Sequence, residues 1–383
     1  MKIVIAPDSF KESLSALQVA AAIEAGLREV FPDADIVKVP VADGGEGTVQ
    51  ALVDATGGRL VSARVTGPLG SEAEAFYGVT GDGVAVIEMA AASGLEMVAS
   101  EQRDPRVTTS RGTGELILHA LDQGSRRFVL GVGGSATNDG GAGMLQALGV
   151  RLLDVEGMPL GPGGAELARL VRIDASRLDP RIAQSTFQIA CDVDNPLTGP
   201  RGASAIFGPQ KGATPAMVEQ LDANLAHYGR IVARERSQDF AQVAGAGAGG
   251  GIALAMLAYL GGRLRPGVEI VTEAVGLADA VRGADLVITG EGRIDGQTVN
   301  GKTPMGVARV AAAQGVPVIA IGGGLAPDAR AVHAHGIAAV FAAVSRPCTV
   351  AEALAAGEAN LRSAARNVAA ALRLGARLGS TTR

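Results

Sequence analysis

The chain has 383 residues, 47% of them hydrophobic, 54 glycines, a net charge of −5, no tryptophan, three tyrosines and eight phenylalanines. That length exceeds what one core usually organises, so two domains are expected, in a loop-rich α/β protein. The lack of a basic stripe and of aromatic stacking platforms excludes nucleic acid. The two cysteines lack metal-ligand spacing, and neither a signal-like start nor an apolar span of about 18 residues occurs, so no membrane partner and a cytoplasmic setting are expected.

Lys2–Ala6 reads as a strand running into PDSFKESLS and then a helix with Ala16, Ala20, Ile23, Leu27 and Val30 on one face. Asp8, Ser9, Lys11 and Ser13 thus sit at the carboxyl end of an expected parallel strand, where open α/β sheets bind ligands. Ser13 reads as the helix N-cap. Lys11 opposes the helix dipole unless an anion visits, which makes it a candidate catalytic residue. Strand Asp35–Val41 leads into ADGGEGT and a helix from about Thr48. There Asp43, Gly44, Gly45, Glu46 and Gly47 suit a polyol or a cation, although turn chemistry alone also explains Asp-Gly-Gly.

Ala73–Val79 and Val84–Glu88, joined around Gly81-Asp82-Gly83, read as an antiparallel hairpin and set a domain boundary near residue 70. Ser110 or Thr113 caps the next helix. At the centre, strand Arg127–Val132 breaks into the loop Gly133–Gly143 and resumes as a helix with Met144, Leu145 and Leu148 on one face. Gly133 and Gly134 let backbone N–H groups converge on an anion beside a helix N-terminus. Ser135, Thr137, Asn138 and Asp139 add more polar chemistry than a plain turn needs. Strand Val150–Asp154 follows.

Strand Thr186–Val193 carries Asp192 near its end, and Asp194 follows on the same face, about 6.5–7 Å away by the period of two. Such a pair suits a general base and a magnesium ligand. Asp194-Asn195-Pro196 is alternatively a simple turn, which leaves Asp192 unexplained. Gln210-Lys211-Gly212 is a polar turn, and Val243–Gly262 is a glycine tract opening an apolar helix. Strand Asp285–Thr289 then leads into GEGRIDGQTVNGKTP and a helix to about Ala313. Strands Val316–Ile321 and Ala338–Val344 and a last helix Ala351–Leu374 complete the chain. The simplest architecture is a doubly wound parallel-sheet domain from residues 1–70 and 282–383, interrupted by a mixed α/β domain at 71–281. A ligand cleft is expected between them.

Two motifs match patterns without their context. Gly131-Val132-Gly133-Gly134-Ser135-Ala136 fits a dinucleotide fingerprint, with Asp154 ending the next strand, so a dehydrogenase is an alternative; but Asn138-Asp139-Gly140-Gly141 postpones the helix that the fingerprint needs. Gly296–Thr303 matches G-x-x-x-x-G-K-T, yet GEGRID intervenes after the strand and Pro304 follows, so Lys302 is expected to meet phosphate by another geometry.

Taken in order, APDSFKESLSA, VADGGEGT, GVGGSATNDGGAG, ACDVDNPLTG, FGPQKGA, GAGAGGG and VITGEGRIDGQTVNGKTP closely resemble the bacterial type I glycerate kinase family along nearly the whole chain. The resemblance implies ATP-dependent phosphorylation of D-glycerate, usually to 2-phosphoglycerate, with magnesium, in a flavodoxin-like domain carrying an inserted domain. On that footing Asp8, Ser9, Asp43, Gly44, Gly45, Glu46, Gly292 and Asp295 are expected at the substrate. Gly133, Gly134, Ser135, Thr137, Asn138, Asp139, Gly290, Glu291 and Lys302 are expected at ATP, and Asp194 at the metal. Asp192 is expected as base, with Lys11 neutralising substrate charge. A 3-phosphoglycerate product and a homodimer remain open. A non-catalytic sugar-acid binder is a further alternative, against which Asp192, Asp194, Lys11 and Lys302 weigh, since a binder of anions gains nothing from carboxylates.

Overall fold

The computed structural model describes residues 1–380. Among these the strands run β1 Lys2–Ile5, β2 Asp35–Lys38, β3 Arg59–Thr66, β4 Glu72–Val79, β5 Val84–Glu88, β6 Arg127–Gly131, β7 Arg151–Leu153, β8 Arg172–Asp174, β9 Thr186–Ala190, β10 Arg263–Arg265, β11 Leu286–Ile294, β12 Val318–Leu325 and β13 Ile337–Ala342. The chain forms two compact units: Met1–Asp43 with Gln50–Thr56 and Val268–Arg383, and Gly44–Val49 with Gly57–Gly267.

The first unit holds a five-stranded sheet in the order β13-β12-β11-β1-β2, with every pair parallel. Numbered within the unit, this is the flavodoxin-like order 2-1-3-4-5, whose switch point lies between β1 and β11. Ile3, Val4, Ile5, Val287 and Ile288 are fully buried, as continuous apolar strands covered on both faces must be. On one face the helix Ala16–Arg28 packs Val19, Ile23 and Leu27 against Leu361, Ala365 and Val368 of the helix Gly357–Ser380. The first of these helices starts on a capping box between Ser15 and Gln18. Ser13, expected as its cap, instead donates to the Leu354 carbonyl at 2.7 Å.

In the second unit a six-stranded sheet runs β10-β9-β6-β5-β4-β3, antiparallel across β3-β4-β5 and parallel across β5-β6-β9-β10. The expected β4–β5 pairing is present. β3 is an edge strand, mostly exposed or half-buried, in which Arg59, Ser62, Arg64 and Thr66 interrupt the apolar residues, and it pairs with β4 over its whole length. It moves the start of this unit ahead of residue 70, and Val268–Val281 belong with the other unit, so both expected boundaries shift.

Several strand ends also differ from expectation, among them β12, which runs Val318–Leu325 instead of Val316–Ile321, and β13, which stops at Ala342. β2 stops at Lys38, next to Val39 and Pro40, and β9 stops at Ala190. β11 runs to Ile294, five residues past Thr289, because Glu291, Arg293 and Ile294 pair with Gly322, Gly324 and Leu325 of β12. Glycines allow that approach: a Cβ on Gly290 would lie 2.2 Å from the Ile321 carbonyl oxygen. No described helix is long and apolar enough to cross a membrane.

Candidate active site

Four of the eight residues expected at the substrate, Asp8, Ser9, Gly292 and Asp295, lie at the carboxyl ends of β1 and β11 in the first unit. β1 passes into Pro7 and Asp8, whose amide donates to the Gly290 carbonyl at 2.8 Å and ties the two strands together at the switch point. Asp8 Oδ1 accepts from the Ser9 amide at 2.7 Å and the Ser9 hydroxyl at 3.3 Å. Its Oδ2 accepts from Thr303 Oγ1 at 2.5 Å. Burial, and next the like charge of Asp43, push the Asp8 carboxyl up to about 7, with Glu291 a smaller contributor in the same direction.

Glu291 is buried on β11 and accepts from Thr298 Oγ1 at 2.6 Å, with Lys302 Nζ 3.5 Å away. Burial raises its carboxyl despite both partners. Lys302 Nζ also lies 3.9 Å from Asp295 Oδ1, and Asp295 is itself fixed by the Gln297 amide and by its own amide donating to Thr298 Oγ1. Gly292 is exposed, and a Cβ there would lie 3.7 Å from Phe10 and 3.9 Å from the Lys11 amide nitrogen. Lys11 occupies an exposed turn closed by reciprocal Phe10–Leu14 backbone bonds.

The extension of β11 also changes the reading of Gly296–Thr303. The strand reaches Ile294, a turn follows, and the helix Thr303–Ala312 begins at the motif's threonine with Pro304 in its first turn, where proline is at home. GEGRI therefore belongs to the strand instead of separating it from the motif. Lys302 precedes that helix, and its ammonium faces Glu291 and Asp295.

In the second unit the central loop is built differently from expectation. Gly133 and Gly134 are exposed, the latter at φ +69, whereas Ser135, Thr137, Asn138 and Asp139 are all buried. Asp139 Oδ2 accepts from the Ser110 amide and hydroxyl, both at 2.8 Å, and Oδ1 from the Gly141 amide at 3.1 Å. Asn138 Nδ2 donates to Ser204 Oγ at 2.9 Å. These side chains brace the loop from inside; only the Gly133–Gly134 edge is presented outward. The following helix opens at Ala142, well past the fingerprint glycines.

Lys211 sits in a stretch whose residues alone read as a polar turn. Only 2% exposed, it donates to Ser135 Oγ at 2.8 Å and to the Thr137 carbonyl at 2.6 Å. Burial pulls its ammonium down to about 7, with the Asp139 charge acting against that shift. Glu88, at the end of β5, carries no signal of its own in the sequence; it accepts from the Val49 amide at 2.8 Å and so shapes the end of the ADGGEGT turn. Within that turn Gly44 has φ +93, and a Cβ there would meet Ala190 at 2.8 Å. Gly45 is half-buried and Glu46 exposed.

The two aspartates after β9 meet different partners. The strand ends at Ala190, so the alternation of side chains no longer applies two residues later, and Asp192 is exposed with Oδ1 accepting from the Gly267 amide at 3.0 Å. Asp194 pairs with Arg201 at 2.7 Å, both side chains largely exposed. The guanidinium holds the Asp194 carboxyl below its usual range. Among the described residues no three His, Cys, Asp or Glu side chains are grouped to hold a metal.

A family profile described as the glycerate kinase family matches residues 3–373. The chain is 56% identical to a glycerate kinase of Bacillus subtilis (strain 168), with 98% of each chain covered. It is also 56% identical to a glycerate 2-kinase of Escherichia coli (strain K12), covering 98% of this chain and 99% of that one. A crystal structure from Salmonella typhimurium LT2, whose description gives glycerate kinase 2 as a provisional assignment, superposes with a TM-score of 0.91 at 56% identity, over 98% of this chain and 99% of that one. The fold, the ordered loops and these matches along almost the full length agree: the chain is a phosphotransferase and belongs to the glycerate kinase family.

Proposed function

We propose that the protein transfers the γ-phosphoryl group of ATP to the 2-hydroxyl of D-glycerate. The observation that carries this reading is the constellation at the switch point: Asp8 held by Ser9 and Thr303, beside Lys302 at the start of a helix. Phosphoryl transfer asks a protein for positioning and charge stabilisation more than covalent chemistry. Lys302 suits the phosphates, and Lys11 suits the carboxylate of the acceptor. Ser9, Asp43 and Gly292 remain our assignment to the acceptor. In the other unit Gly133 and Gly134, both exposed residues, remain our assignment to the nucleotide. The 2-hydroxyl is supported by the name of the Escherichia coli relative.

Magnesium fits as an ion carried by the nucleotide, because it is usually held by one or two carboxylates together with phosphates and water. Asp295, half-buried beside Lys302, is the side chain we assign to it, in place of the arginine-paired Asp194. When bound, the ion supplies charge neutralisation on the phosphates. The test is ADP release from ATP and magnesium with D-glycerate, L-glycerate or glycerol. D-glycerate alone is expected to drive turnover; release independent of any acceptor would contradict the reading.

A further inference from the structure

Proton transfer in this reaction needs a carboxylate that is firmly held yet reachable by an alcohol, and Asp192 is exposed on a segment beyond the end of its strand. Asp8 meets both conditions. The backbone before it belongs to the fully buried Ile3–Ala6, and its own amide is bonded to Gly290. Ser9 fixes one carboxylate oxygen and Thr303 the other, while the residue remains partly open to solvent. Oδ1 already accepts from both the Ser9 amide and hydroxyl, whereas Oδ2, which accepts from Thr303, keeps a second lone pair for an incoming donor.

We propose that Asp8 is the catalytic base that accepts the proton of the attacking hydroxyl, an inference that rests on the glycerate kinase reading above. The acceptor O–H bond breaks with its proton passing to Asp8 Oδ. The oxygen's electron pair forms the new O–P bond to the γ-phosphorus, and the bond from that phosphorus to the bridging oxygen breaks, its electrons leaving on ADP. Asp8 then returns the proton to water. Because the transition state is loose, proton transfer comes late and the aligned carboxylate first serves to orient the alcohol. Burial first, and then the like charges of Asp43 from the segment after β2 and, to a smaller extent, Glu291 from β11, raise the proton affinity of Asp8 and favour a basic carboxylate. Thr303 from the following helix donates to it, and the nearby Lys302 cation faces Glu291 and Asp295 rather than neutralising Asp8 directly.

The experiment compares wild type with Asp8→Asn, measuring kcat, ADP affinity by calorimetry and the pH profile. Asp8→Asn is expected to lower kcat by roughly 10²–10⁴-fold with ADP affinity within about threefold. Wild-type kcat is expected to rise with pH through about 7, the value at which Asp8 loses its proton. A variant within about tenfold of wild type, or one that loses ADP binding instead of turnover, overturns the assignment. If the asparagine variant does not fold, the wild-type profile and Thr303→Val decide. Removing the hydroxyl that favours the charged carboxylate should move the acid limb to higher pH, and a limb absent from wild type or unmoved in Thr303→Val overturns it. Failure of wild type to turn over D-glycerate at all would instead reject the reading on which this inference stands.

Discussion

Lys211 illustrates how little a residue's local sequence says about its job. FGPQKGA looks like a polar surface turn, yet the fold brings it beneath a loop more than seventy positions earlier, where its ammonium joins Ser135 Oγ to the Thr137 carbonyl. An amine enclosed in this way binds its proton less tightly than in the unfolded chain, where the value is near 10.5 as against about 7 in the fold. Between those values the unfolded state carries a proton that the native state lacks, so stability rises with pH across that window. Lys211→Met removes this contribution. Urea denaturation at about pH 7.5 and about pH 10 should therefore show the wild-type advantage over the variant growing with pH. A difference that stays constant between the two conditions would mean that Lys211 keeps its proton in the fold.

At the scale of elements, apolar periodicity revealed most of the architecture, and its failures have physical causes. β1, β6 and the helix Ala16–Arg28 announce themselves through runs of buried apolar residues, and the β4–β5 hairpin through its turn. β3 lacked such a run because an edge strand is half exposed, and the last five residues of β11 lacked one because glycines and charges fill them; only pairing to the glycines of β12 reveals that stretch as strand. The site was legible to the same degree. The sequence singles out Asp8 just past β1 and Glu291 just past the apolar start of β11, whereas the directions of Ser135, Thr137, Asn138 and Asp139 depend on tertiary partners such as Ser110 and Lys211. Element packing makes its own prediction. A Cβ on Gly26 would lie 2.2 Å from the Arg362 carbonyl oxygen of the long C-terminal helix, while one on Gly375 of that same helix meets nothing within 4 Å. Gly26→Ala should lose about 1–3 kcal/mol of stability, and Gly375→Ala should be neutral or gain up to about 1 kcal/mol. Equal effects of the two substitutions in thermal or urea unfolding would contradict this account of the helix pair.

For the whole molecule, the two ends of the chain build a flavodoxin-like sheet, and the long segment between them builds a mixed sheet with its own core. The seven ordered loops carried the family resemblance that the full-length matches established. What neither composition nor fold specifies is the oxygen that takes the phosphoryl group, and this is the claim on which the proposed chemistry turns. The most direct measurement is the proton-coupled phosphorus NMR spectrum of the product made from ATP, magnesium and D-glycerate. Phosphate on the secondary carbon couples to one proton, so a doublet growing in step with the ADP signals is the predicted result. A triplet from phosphate beside a methylene, marking the 3-phosphoglycerate, would contradict it.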